Sequence, residues 1–186
     1  MKVFVNPGHD PNVDSGAVNI DYDVREADVT KQAGALLERG LKRAGHEVML
    51  LQSDDLDAVV AAANDWPADI FVSLHCNASP GRNARGTETL YYSEQGRLLG
   101  EAVQRKILSK VPTIDRGCKE RQGLTLVPVL ADLVTGSALA LLRDRWTSGP
   151  VLVVPVPSAR ATRAERGFDL TGSMASSLAA VLRHRA

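Results

Sequence analysis

Val3-Phe4-Val5-Asn6-Pro7-Gly8-His9 decides how this chain is read. A short β-branched and aromatic run ends at an Asn-Pro-Gly turn signal, which predicts a buried strand entering a loop. Working outward, His9 to Val24 is polar and turn-rich, with Asp10-Pro11-Asn12, Asp14-Ser15-Gly16 and Asp21-Tyr22-Asp23, so the first loop is long. From Arg25 to Arg43 the apolar residues Ala27, Val29, Ala33, Leu36, Leu37 and Leu41 recur at three- and four-residue spacing, and Ala44-Gly45 stops the pattern. That predicts a helix. Val48 to Leu51 predicts a second strand, and Asp54 to Ala63 a helix opened by Ser53 or Asp54. Ile70 to Leu74 is a third strand ending at His75, Thr87 to Tyr92 a fourth, and Gly100 to Leu108 sits in a further helix. Strands that alternate with helices and are apolar along their length imply an α/β fold. Its core is a single twisted, mostly parallel sheet with helices on both faces.

Composition narrows the function. With 186 residues and 44% hydrophobic content the chain suits one domain over residues 1–186. Lys and Arg number 22 and Asp and Glu 22, and this balance removes the broad attraction that draws proteins to nucleic acid or anionic membrane. Aromatic residues make up 4%, too few for base-stacking platforms, so nucleic acid is not an expected partner. Cys76 and Cys118 cannot supply a disulfide framework or a four-thiolate zinc site. The start of the sequence lacks the apolar core of a secretory signal, and no apolar run approaches the roughly 20 residues of a membrane span. Synthesis in the cytoplasm, no membrane span and a monomeric state are expected.

In parallel α/β sheets, functional groups gather at the carboxyl ends of the strands, and His9 and His75 both follow predicted strands. Glu26, at the start of the first helix, faces the same edge. Two His and one Glu are the ligand set of a catalytic zinc with one position left open. The plainer alternative stands beside it, since a His near a strand end is commonly just hydrogen-bonded and a Glu in a first helical turn answers the helix dipole. Ser73 lacks the Gly-x-Ser-x-Gly elbow of a serine hydrolase. Cys76 is expected in core packing, while His46, in a helix-to-strand turn, and His184, in a basic tail, are expected to meet solvent.

The flanking residues add a resemblance. Val5-Asn6-Pro7-Gly8-His9, Asp14-Ser15-Gly16-Ala17-Val18, Val24-Arg25-Glu26-Ala27-Asp28-Val29, Val72-Ser73-Leu74-His75-Cys76-Asn77-Ala78 and Gly86-Thr87-Glu88-Thr89-Leu90-Tyr91-Tyr92 follow in order. In order and spacing they resemble the zinc-dependent N-acetylmuramoyl-L-alanine amidases, the peptidoglycan amidases of the AmiC, LytC and CwlC type. The resemblance runs from Lys2 to about Glu120. It implies Zn2+ held by His9, Glu26 and His75, and hydrolysis of the amide between N-acetylmuramic acid and the L-alanine of the stem peptide. Asn77 is similar to the family's residue beside the metal; orienting a ligand or substrate and capping a turn both stand open. Arg25 either pairs with a substrate carboxylate or is an exposed helix-start arginine.

The sequence departs from the family late in the chain. Family members supply a second glutamate, the general base, after an apolar strand. If Pro150-Val151-Leu152-Val153-Val154 is that strand, Pro155 stands at the glutamate's place. Loss of a general base typically costs about 10²–10⁴ in rate. A second alignment keeps Glu-x-Gly-Phe and makes Glu165, in Glu165-Arg166-Gly167-Phe168, the candidate catalytic residue; a solvated charge is the alternative. Leu152-Val153-Val154-Pro155-Val156-Pro157-Ser158 together with Arg160, Arg163 and Glu165 to Phe168 resembles the first part of the competence-associated, ComF-like phosphoribosyltransferase proteins. That similarity spans roughly residues 119–186, which are atypical for an amidase, and the phosphate-binding loop of the transferases is absent. A segment of different ancestry completing the sheet, with helices over Val129 to Leu142 and Ser173 to Leu182, is one account. The expected function is a wall amidase acting after release from the cell. The alternatives are a metal-binding peptidoglycan ligand of feeble activity, or a nucleotide-handling transferase fragment.

Overall fold

The computed structural model describes residues 1–77 and 85–121 and the backbone of residues 151–154. Its spine is β1 (Lys2–Pro7), which pairs in parallel with β4 (Glu47–Leu50) on one side and β5 (Ile70–Leu74) on the other. Successive side chains of a strand point to opposite faces, so a strand covered on both faces must be apolar throughout. On one face Val3, Val5, Val72 and Leu74 pack with Leu37 and Leu41 of α1 (Glu26–Arg43) and with Leu99, Val103 and Ile107 of α3 (Glu94–Leu108). On the other, Phe4 and Phe71 stack with ring centroids 5.5 Å apart against Val59 and Ala63 of α2 (Leu56–Asp65). Helices on both faces are therefore observed, as the apolar strands require.

The second half of the sheet is mixed. β6 (Thr87–Tyr91) runs parallel to β7 (Asp115–Glu120) and antiparallel to β8 (Val151–Val154). β8 also lies alongside β5, standing between the β4-β1-β5 and β7-β6-β8 ladders. The long first loop carries a minimal hairpin, β2 (Val18–Asn19) and β3 (Val24–Arg25), joined by a 3-10 turn at Ile20–Tyr22.

Several expectations need correction. Helix α2 is not opened by Ser53 or Asp54: Asp55 is its cap, accepting the Ala58 amide at 2.9 Å, while Asp54 turns toward the first loop. Helix α3 starts six residues before Gly100, because Ser93 accepts the Gly96 amide at 3.1 Å and so fixes its first turn. Strand β7 has no apolar alternation to announce it; its charged residues suit an edge of the described sheet, where they discourage further pairing. His46 is buried, not solvated. The backbone of Gly45 is left-handed, at φ 86, and its amide bonds Lys42 O while that of His46 bonds Leu41 O. This helix-ending motif folds residue 46 back under α1. Glu165, Pro155, His184 and the helices expected over Val129 to Leu142 and Ser173 to Leu182 lie outside the described residues. No described helix is long and apolar enough to cross a membrane.

Candidate metal centre

Parallel pairing of β1 with β5 sets Pro7 opposite Leu74, so the residues that follow these strands leave the sheet side by side. The Gly8 amide continues the ladder to Leu74 O at 2.8 Å. A Cβ on Gly8 would collide with the His75 ring, so the close approach of loop and ring depends on glycine there. Helix α1 is brought to the same edge by the hairpin. The Glu26 amide bonds Ala17 O at 2.8 Å and the Ala27 amide bonds Ser15 O at 3.1 Å. Gly16 lies between the two, at φ 64, where a Cβ would stand 2.5 Å from the His9 ring and 2.8 Å from Glu26 Oε2.

The result joins His9, Glu26 and His75. One donor atom from each lies within 4.8 Å of both others. His9 Nε2 is 3.5 Å from Glu26 Oε2, and His75 Nδ1 is 3.0 Å from Glu26 Oε1. The Glu26 side chain is only 4% exposed, whereas those of His9 and His75 are 24% and 32% exposed, so the cluster has a buried floor and an open side. Burial alone would push the Glu26 carboxyl up. The hydrogen bond with His75 and the amides of Ala17 (2.9 Å) and Cys76 (2.6 Å) outweigh it and hold the group below the ordinary glutamate range. Glu26 is thus kept as a carboxylate.

This donor set fits a metal ion. Two atoms bound to one zinc at 2.0–2.1 Å in a tetrahedral arrangement stand about 3.4 Å apart, close to the 3.5 Å between His9 Nε2 and Glu26 Oε2; a metal would take the place of the proton now shared by His75 and Glu26 Oε1. On the far side of its ring, His9 Nδ1 is 3.0 Å from Asp14 Oδ2 and 3.6 Å from Asp54 Oδ1. A carboxylate accepts but cannot donate, so a ring hydrogen belongs on Nδ1. Nε2 also faces a carboxylate oxygen, and that pairing is completed by a second ring proton or, with the neutral ring, by a metal ion between Nε2 and Glu26. His9, Asp14 and Asp54 also form a three-donor group of similar compactness.

The other candidate residues are placed differently. Arg25 is engaged with Asp28, through Nε at 2.7 Å and Nη2 at 3.0 Å, and with Pro11 O at 3.2 Å. Asn77 donates to Glu88 Oε1 at 2.7 Å. Glu88 also receives Lys119 Nζ at 2.6 Å and Arg116 Nε at 3.3 Å, so Asn77 is tied to β6 and β7 through one carboxylate. Ser73 is fully buried and donates to Asn6 Oδ1 at 3.0 Å, which is a packing role. Burial, with the Glu26 charge adding to it, pushes the Cys76 thiol far up, and only its backbone amide serves the cluster. Asp14 and Glu88 were not singled out by the sequence, and Asp54 was expected only as a helix cap. Asp14 and Glu88 lie within the resembling motifs, but only their contacts reveal what they do.

The family model described as N-acetylmuramoyl-L-alanine amidase matches residues 3–156, extending well past Glu120, where the sequence resemblance was expected to end. Over 126 residues the chain is 35% identical to the uncharacterized protein YqiI of Bacillus subtilis, covering 63% of this chain and 59% of that protein. Over 125 residues it is 30% identical to the N-acetylmuramoyl-L-alanine amidase LytC of the same organism, covering 63% of this chain and 25% of that one. The chain therefore spans less than two thirds of the length of these curated relatives. The catalytic domain of the amidase CwlV from Bacillus (Paenibacillus) polymyxa shares the fold, with a TM-score of 0.74 at 24% identity over 99% of this chain and 97% of that one. An N-acetylmuramoyl-L-alanine amidase from Clostridium difficile does so at 0.73 and 23%, over 97% and 94%. With residues 3–156 matched to its model, the chain belongs to the N-acetylmuramoyl-L-alanine amidase family.

Proposed function

We propose that the protein is a zinc-dependent peptidoglycan hydrolase that cleaves the amide between N-acetylmuramic acid and L-alanine. The observation that carries the reading is the convergence of His9, Glu26 and His75 around one point, with a buried carboxylate beneath and solvent access above. Family membership and the amidase named among the relatives supply the substrate class. His9, Glu26 and His75 would hold the ion. Zinc held there supplies Lewis acidity toward a carbonyl oxygen and toward water.

The chain's own residues prepare the site for that chemistry. The Ala17 and Cys76 amides fix both oxygens of Glu26, and Asp14 fixes the His9 ring. Asn77, anchored by Glu88, stands two residues beyond His75, where it can orient an amide-bearing substrate. Hydrolysis also needs a proton acceptor, and Glu165 is the candidate the sequence offers. The site of action is the wall, outside the cytoplasmic membrane.

Incubation with a soluble muramoyl tripeptide and mass spectrometry of the products tests the reading. The wild-type protein is expected to release a peptide with a free L-alanine amino group, and His75→Ala is expected to release none. Equal release by both, or release by neither, contradicts the enzyme reading. One observation favours a second reading, a zinc-loaded peptidoglycan ligand with feeble turnover: Pro155 stands where an aligned glutamate would follow the apolar strand. Wall binding that survives in Glu165→Gln, with no hydrolysis by either protein, would select it.

A further inference from the structure

We propose that Asp54, at the junction between β4 and α2, is a positioning residue that fixes the backbone and ring of His9 for metal binding. The inference rests on the zinc reading above but concerns a different part of the chain.

His9 is an unusual residue to find in the left-handed region, at φ 62. A non-glycine side chain is disfavoured there, so neighbouring contacts must hold it. Thr30 Oγ1 donates to Gly8 O at 2.7 Å, and further contacts come from the short segment between β4 and α2. Leu51 accepts Asn6 Nδ2 at 3.0 Å through its carbonyl and gives its amide to Val5 O at 3.1 Å, seating the segment against β1. Gln52 Nε2 reaches Gly8 O at 3.3 Å and Ala27 O at 2.9 Å, linking the residue before His9 to the first turn of α1. Asp54 Oδ2 accepts the Asp10 amide at 2.8 Å, fixing the residue after His9. The other oxygen of Asp54 faces His9 Nδ1 at 3.6 Å. One carboxylate therefore secures the strained turn and adds negative charge behind the ring that presents Nε2 to Glu26.

Capping does not account for Asp54, since Asp55 caps α2. Nor does Asp14 replace it, because Asp14 comes from the same loop as His9 and its other oxygen holds Gly16. Asp54 instead reaches the residue after His9 and the far side of its ring from the β4–α2 junction, a separate part of the chain. Removing an outer partner of a ligating histidine typically shifts metal affinity by about 10–100-fold; Asp14 is the partner within hydrogen-bond distance of His9, and Asp54, at 3.6 Å, acts through its charge and its hold on the Asp10 amide.

The test is zinc affinity, measured by competition with a chromophoric chelator, together with zinc stoichiometry and thermal melting. Asp54→Ala is expected to weaken zinc binding about tenfold, the low end of the range for outer partners, because Asp14 still holds the ring. Asp54→Asn keeps an oxygen for the Asp10 amide but not the charge, and should fall between Ala and wild type. Asp55→Ala should lower the melting temperature and leave affinity unchanged. If Asp54→Ala melts cooperatively and binds zinc as tightly as wild type, or loses no more affinity than Asp55→Ala, the positioning role is wrong while the zinc reading stands. Two zinc ions per wild-type chain would make Asp54 a ligand instead and overturn the proposal. No zinc binding by the wild-type protein removes both readings.

Discussion

His75 Nδ1 stands 3.0 Å from Glu26 Oε1, the same oxygen that accepts the amide of Cys76 at 2.6 Å. The carboxylate is thus oriented by the chain segment that carries the second histidine. Its remaining oxygen accepts from Ala17, in the segment leading from the first histidine. The two loops at this edge of the sheet meet on one buried acid.

Replacing Glu26 with Gln tests that arrangement. The amide can accept at one end only, so its NH2 group must face either the Cys76 or the Ala17 donor. Leaving a buried donor unsatisfied costs about 1–3 kcal/mol. Glu26→Gln is expected to lose that much stability in urea denaturation and to lose zinc binding in the same preparation. A variant of unchanged stability would show that the two amides do not depend on this carboxylate.

Gly16→Ala should harm the centre from the backbone side. At φ 64 an added Cβ meets both the His9 ring and Glu26 Oε2. The left-handed backbone alone costs about 1–2 kcal/mol for an L side chain, and relief of the contact must displace one of the two candidate ligands. Lower denaturation midpoints and weakened zinc binding are expected together. Loss of stability without loss of zinc affinity would place the strain elsewhere.

The fold was legible where side-chain pattern follows from burial. Val3 to Val5 and Ile70 to Leu74 are apolar throughout because helices cover both of their faces. Strand β7 was not legible, because Asp115-Arg116-Gly117-Cys118-Lys119-Glu120 is held by backbone pairing with β6 and carries no apolar signature. Strand ends and a helix start made His9, Glu26 and His75 candidates for one edge, and the resemblance singled them out as a set; the loop contacts that bring them together, through Gly8, Ser15, Gly16 and Ala17, were not legible. Asp54 was misread for a physical reason. An Asp before a helical pattern has the look of a cap, and only coordinates separate the carboxylate that caps α2 from its neighbour, which turns to His9.

Glu88 gives a prediction about pH. Burial by itself would push its carboxyl up, but hydrogen bonds and charge from Lys119 and Arg116 outweigh burial and hold the group below the ordinary glutamate range. A carboxyl lowered in the folded state stabilises the protein above its unfolded pKa, about 4.3, and that contribution fades as pH falls through the lower folded value. Stability measured by urea denaturation should therefore fall as pH drops below about 4.3, and should fall less steeply in Glu88→Gln. Parallel profiles for the two proteins would mean that the bonds to Lys119 and Arg116 contribute nothing to folding.

The most direct measurement is an anomalous difference map, collected at the zinc absorption edge, from crystals of the wild-type protein grown with zinc. The account predicts one strong peak in the cluster, within about 2.0–2.3 Å of His9 Nε2, a Glu26 oxygen and a His75 ring nitrogen, and no peak there in His75→Ala crystals. A peak between Asp14 and Asp54 with His75 unligated, or no peak at this edge of the sheet, would contradict it.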